Sequence, residues 1–122
     1  LLQGPVFALP VALERARVKL HDVGVIEMHE AFAAQVLSNI QWMGSKKIAQ
    51  EKLGRSEPIG EIDPEKINRT GGSIAIGHPF GATGARIVTT VCNELQRTGE
   101  QYGLVTVCAA GGMGAAMVLE RE

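Results

Sequence analysis

Pro79-Phe-Gly-Ala-Thr-Gly-Ala-Arg-Ile-Val-Thr-Thr-Val-Cys-Asn-Glu-Leu-Gln-Arg-Thr-Gly99 reads as a helix with a marked start and a marked stop. Proline suits a helix start, and glycine just past the last turn is the usual terminator. Ala85, Val88, Val91, Cys92 and Leu95 recur at helical spacing and define an expected apolar face. Gly103–Cys108 and Ala115–Glu120 are then short, mostly apolar runs, and the small residues of Ala109–Gly114 lie between them. That pattern predicts two strands joined by a tight turn.

Upstream, Val6, Leu9, Leu13, Ala16 and Leu20 alternate gaps of three and four, which predicts a helix over 6–20. Pro10 interrupts it, so the regular part is expected to begin near that residue. Val23–Met28 is a short β-branched run and predicts a buried strand. Phe32, Val36, Ile40 and Met43 form the stripe of a second helix. Ser45 is placed to cap a short helix through Leu53, with Gly54 as its stop. Residues 55–66 are polar, contain Pro58, Gly60 and Pro64, and predict a surface loop. Helices and strands alternate and finish in a hairpin, which is an α/β fold with a mixed sheet layered with helices. Three or four strands are few for such a sheet, and the chain opens directly into a helix. The expectation is a domain lacking its first strand, in a chain that is processed or a fragment because it does not begin with Met.

The composition excludes several function classes. A formal net charge of −1 leaves no electrostatic footprint for nucleic acid or an anionic membrane, and 4% aromatic residues supply no base-stacking surface. No apolar run reaches membrane-spanning length. Two cysteines, Cys92 and Cys108, make no disulfide framework, and Cys92 reads as a reduced, partly buried thiol. His21, His29 and His78 lack metal-ligand spacing, so no metal site is expected.

Three segments carry possible chemistry. Asn68-Arg-Thr-Gly-Gly-Ser-Ile-Ala-Ile-Gly-His-Pro-Phe-Gly-Ala-Thr-Gly84 is apolar and glycine-studded without either period. It has neither the Lys-Ser/Thr ending of a phosphate loop nor the tight glycine order of a dinucleotide fingerprint. His78 stands just before a helix whose positive end favours a neutral imidazole. Such a ring is either satisfied by its own loop or available to take a proton from a thiol and donate to an oxyanion. Val105-Thr-Val-Cys-Ala-Ala-Gly-Gly-Met-Gly114 places Cys108 at a strand end, beside approachable N–H groups at Ala110 and Gly111. Taken alone, thiols in such turns are more often packing than catalysis. His29-Glu30-Ala31-Phe32 sits where a strand ends in an open sheet, the usual place for ligands. Glu30 in the first turn of a helix is the competing reading.

Together and in this order, the three segments resemble the thiolase family. Asn68–Gly84 is similar to the signature built around Gly-His-Pro, and Gly103–Ala116 to the carboxy-terminal signature around the family's second reactive cysteine. His29-Glu30-Ala31-Phe32 matches Asn-Glu-Ala-Phe except at its first residue, and Gly4-Pro5 with Leu13-Glu14-Arg15-Ala16 resembles the preceding stretch. The resemblance implies that residues 1–122 are a partial thiolase carboxy-terminal domain. It implies thiolytic cleavage of 3-ketoacyl-CoA in fatty-acid β-oxidation, with coenzyme A as co-substrate and no other cofactor. His78 would activate a nucleophilic cysteine and donate to the enolate oxyanion. Cys108 would be the acid and base, and the Ala110 N–H would hold the thioester oxyanion. Phe32 and Gly111 would lie along bound substrate. His29 replaces the Asn that positions a water, a form that resembles the thiolase subunit of fatty-acid oxidation complexes.

No residue here corresponds to the nucleophilic cysteine, so this polypeptide alone is expected to be inactive. The implied partners are the rest of a thiolase, a second copy of it and a hydratase–dehydrogenase subunit. The implied compartment is the cytoplasm, or the mitochondrial matrix of a eukaryote. A ketoacyl synthase is a rival, but such enzymes usually carry a second His where Cys108 stands. A non-catalytic thiolase-like scaffold is another, although it would have no need to keep both His78 and Cys108.

Overall fold

The computed structural model describes residues 2–122. Helix α1 spans Gly4–Ala16, so it begins a turn and a half before the expected start. Pro5 occupies its first turn, where a missing N–H breaks no bond. Pro10 forfeits one helical bond, a penalty of about 3 kcal/mol. Val6 and Leu9 are 0% exposed and Leu13 only 6%. Burying three such side chains contributes about 1.5–3 kcal/mol each, which outweighs the break.

Strand β1 (Val23–Met28) is buried at every position. It pairs in parallel with β2 (Tyr102–Ala109), which pairs antiparallel with β3 (Met113–Glu120), giving the order β1-β2-β3. The sheet is mixed, as the alternation of helices and a final hairpin required. Helix α1 covers one face, where its apolar stripe joins Ile26, Met28 and Leu104. Helix α5 (Phe80–Thr98) covers the other through Ile87, Val91 and Leu95 against Val25 and Val105. Neighbouring residues Leu104 and Val105 thus belong to opposite layers, as strand alternation dictates.

The expected face of α5 holds at Val88, Val91 and Leu95, which pack into the core, and fails at Ala85 and Cys92. Thr83, Ile87, Val91, Glu94 and Leu95 are the buried set, whereas Ala85 and Cys92 are exposed. The buried Glu94 carboxylate is accommodated by a two-pronged contact with Arg97 at 2.8 and 2.6 Å. Cys92 is therefore a surface thiol, not a partly buried one.

Helix α2 (Ala33–Met43) likewise keeps Val36, Ile40 and Met43 of its expected stripe against the core and loses Phe32. Phe32 stands at its N-cap, 62% exposed, while Gln35, Asn39 and Met43 are buried. An amide chain explains this: Gln35 donates to Asn39 at 2.7 Å, and Asn39 donates to Gln3 at 2.7 Å. Helix α3 (Lys46–Lys52) is capped by Ser45, whose Oγ accepts from the Ile48 N–H at 3.3 Å. Residues 55–66 form the expected loop, but Ile62 is buried beneath it and Pro64–Lys66 make one 3-10 turn.

Beyond β1, Ile67 makes a single parallel bridge to Ile26. The side chain of Asn68 then imitates a strand neighbour. Its Oδ1 accepts from the Met28 N–H and its Nδ2 donates to the Met28 carbonyl, both at 2.9 Å. At the opposite side of the sheet, Gly4 of α1 presses backbone-to-backbone on Gly114 of β3. A Cβ on either would strike the other's main chain, so both positions demand glycine. No helix among the described residues is long and apolar enough to cross a membrane.

Candidate active site

Because β1 and β2 run parallel, their carboxyl ends finish side by side, and the site grows from that end. The His29 N–H continues the ladder to the Thr106 carbonyl at 2.9 Å, which sets His29 beside the end of β2. Cys108, two residues further on, is 5% exposed and His29 is 4% exposed. His78 arrives from the connection between α4 (Ser73–Ile76) and α5. Its ring centroid lies 4.2 Å from that of His29 and 4.8 Å from that of Phe80. A cavity of about 510 Å³ is lined by His29, Phe32, His78, Phe80, Cys108 and Ala110, with Leu2, Ala31, Val107 and Ala109. Five residues singled out from the sequence thus share one largely apolar cleft. Gly111, at φ 83° in the hairpin turn, lies outside that lining.

Each imidazole is held from behind. His29 Nδ1 is 3.0 Å from Ser73 Oγ, and His78 Nδ1 is 2.7 Å from Thr83 Oγ1. Thr83 also donates to the Pro79 carbonyl at 3.2 Å, the backward bond common for helical threonine. A hydroxyl has one hydrogen, so that bond leaves Oγ1 to accept from His78 Nδ1 and frees Nε2. Glu30 is not in the first turn of α2. Its carboxylate accepts from Asn68 Nδ2 at 2.9 Å and from the Ile74 N–H at 3.0 Å, tying the start of α4 to the end of β1. Ser73, Thr83 and Arg86 were not singled out from the sequence, because serine, threonine and arginine in a glycine-rich segment carry no spacing signal of their own.

The electrostatics favour neutral groups in the cleft. Burial lowers the proton affinity of His29, the neighbouring His78 and Arg86 push the same way, and Glu30 opposes them. Burial pushes the Cys108 thiol up, while its own backbone N–H and that of Ala31 pull it down. Behind the cleft, burial lifts the Glu27 carboxyl from 4.5 to about 7, with Glu30 and Glu94 adding to the rise and Arg86 opposing it.

Glu27 gives a pH signature. A raised carboxyl holds its proton in the folded state between 4.5 and about 7, so its contribution to stability is lost as pH climbs through that window. The loss is on the order of 3 kcal/mol. His29, with a lowered value, works in the opposite direction over part of the same range. Urea unfolding at pH 5 and pH 8, compared between wild type and Glu27→Gln, isolates the term. The variant is expected to gain much more on wild type at pH 8 than at pH 5. An equal difference at both values would remove Glu27 as the source.

Comparison with known proteins gives a consistent set of likenesses. The family described as "Thiolase, C-terminal domain" matches residues 1–121. The 3-ketoacyl-CoA thiolases of Shewanella frigidimarina and Shewanella woodyi are each 62% identical over 122 residues, which is all of this chain and 28% of theirs. A solved acetyl-CoA acetyltransferase from Syntrophomonas wolfei aligns at TM-score 0.80 with 37% identity, over 99% of this chain and 28% of that one. The acetyl-CoA acetyltransferase of Bacillus anthracis aligns at 0.78 with 34% identity, over 98% of this chain and 26% of that one.

Proposed function

This chain belongs to the thiolase family through the carboxy-terminal domain, and from that premise we propose that it supplies the acid–base half of an acyltransferase cleaving 3-ketoacyl-CoA. Residues 1–122 are one part of that domain, and the nucleophilic cysteine belongs to sequence outside this chain. The observation that carries the reading is the convergence of His78, Cys108 and His29 on one apolar cavity.

The proposed cycle assigns each group one step. His78 Nε2 takes the proton of the nucleophilic thiol, and the thiolate adds to the 3-keto carbon. The C2–C3 bond then breaks and its electron pair moves to C2, leaving the enolate of acetyl-CoA and an acylated cysteine. The enolate oxyanion is held by the N–H now on His78 and by a water hydrogen-bonded to neutral His29. Cys108 delivers its proton to C2, which releases acetyl-CoA. Burial suits the thiol to this step, because it keeps the sulfur protonated at neutral pH. The thiol of coenzyme A next returns a proton to Cys108 and attacks the acyl-enzyme, whose oxyanion is steadied by the Ala110 N–H. The bond from the acyl carbon to the nucleophilic sulfur then breaks, the shortened acyl-CoA leaves, and the cysteine thiolate recovers its proton from His78. Phe32 borders the pantetheine arm, and coenzyme A is co-substrate with no further cofactor.

Medium- or long-chain 3-ketoacyl-CoA of fatty-acid breakdown is the proposed substrate class. The 62% identity to proteins named 3-ketoacyl-CoA thiolase supports that choice, as does His29 at the position of the usual asparagine. The proposed setting is the cytoplasm, as a homo-oligomer paired with a hydratase–dehydrogenase subunit. The test compares the full-length protein with this polypeptide alone in coenzyme-A-dependent loss of a 3-ketoacyl-CoA. Turnover by the first and none by the second is expected. Silence from both would remove the thiolytic reading, and turnover by residues 1–122 alone would remove the assignment of the nucleophile elsewhere.

A further inference from the structure

His29 and His78 come from segments far apart in the chain, yet one side chain reaches the support of each. Arg86, in the second turn of α5, donates from Nη1 to the Gly77 carbonyl at 3.0 Å and from Nη2 to Ser73 Oγ at 3.1 Å. Ser73 Oγ is the atom set against His29 Nδ1. Gly77 is the residue immediately before His78, at φ 85° and ψ 171°, outside the helical and strand regions. Resting on the reading that these imidazoles are the working groups, we propose that Arg86 is a positioning residue that sets both at once, through Ser73 for His29 and through Gly77 for His78.

The segment needs such a tether. Helix α4 has four residues and buries none of them, and its two large apolar side chains, Ile74 and Ile76, are 62% and 57% exposed. Packing therefore does little to hold the backbone that carries His78. Polar ties replace it: Glu30 at one end of α4 and Arg86 at the other. Arginine is the residue type for this task, because its planar fork addresses two acceptors in fixed directions, whereas a lysine ammonium is a single point. Its cation also stands near enough to His29 to oppose protonation of that ring.

The experiment uses Arg86→Gln, Arg86→Lys and Ser73→Ala in the full-length protein, read by ¹⁵N NMR of labelled histidines, by kcat and KM, and by melting temperature. In Arg86→Gln the resonances of both imidazoles are expected to move, and His29 to bind its proton more readily. The value of kcat should fall by about 10²-fold with KM nearly unchanged, as for a misplacement near 1 Å. Arg86→Lys keeps the cation, so His29 should titrate near its wild-type midpoint while kcat still falls. Ser73→Ala should move the resonance of His29 and leave that of His78 in place. Unmoved imidazoles in Arg86→Gln, or wild-type kcat in Arg86→Lys beside a slow Arg86→Gln, would overturn the proposal. Moved imidazoles with undiminished turnover would instead overturn the roles given to His29 and His78, leaving their placement by Arg86 intact.

Discussion

Replacing His78 by alanine in the full-length protein is expected to cut acyl-enzyme formation by ~10³-fold or more. The size follows from two losses at one atom. A positioned general base contributes about 10²–10⁴-fold, and an oxyanion donor another 10²–10³-fold when the charge develops. Both are assigned to Nε2, the nitrogen left free when Thr83 takes Nδ1. The fold should tolerate the change, since His78 is exposed and lies between helices, outside both apolar clusters. Rapid-quench measurement of the acylation rate gives the effect directly, with a melting curve as the control. An acylation rate within threefold of wild type would end the assignment of His78 as base.

Cys108→Ala is expected to separate two reactions that usually run together. Carbon–carbon cleavage should fall by ~10²–10⁴-fold, because no group remains to protonate the enolate carbon. Acylation from a simple thioester protonates no carbon and can expel coenzyme A as a thiolate, so it should proceed, though more slowly than in wild type. The buried sulfur leaves a small hole when removed, costing about 1 kcal/mol, too little to unfold a domain of ordinary stability. Comparing release of acetyl-CoA from a 3-ketoacyl-CoA with exchange of label between acyl-CoA and coenzyme A reads the two reactions apart. Parallel loss of both would assign Cys108 to packing.

The chain shows which features of a sequence carry far and which do not. β1 was legible to the residue because Val23–Met28 is apolar on both faces and flanked by polar residues. Pro79 and Gly99 likewise bounded α5 correctly. Apolar faces were less legible wherever a polar residue was buried with its partner. Glu94 beside Arg97 widens the buried face of α5, and the Gln35–Asn39–Gln3 amides widen that of α2, beyond the apolar residues read from spacing. The side chains proposed to react were readable as residue types at element ends. Their supports were not, since Ser73, Thr83 and Arg86 acquire meaning only when α4 and α5 fold back on β1. Glu30 belongs with them: its partner Asn68 lies far along the chain, and no local pattern announces the contact.

Everything proposed for this domain depends on His78 and Cys108 acting at one centre in different steps. The most direct measurement is to trap labelled acyl-enzyme from an acyl-CoA thioester in His78→Ala and in Cys108→Ala, side by side with wild type. Substantial labelling of the cysteine variant and almost none of the histidine variant are expected. Equal labelling of the two would contradict those roles.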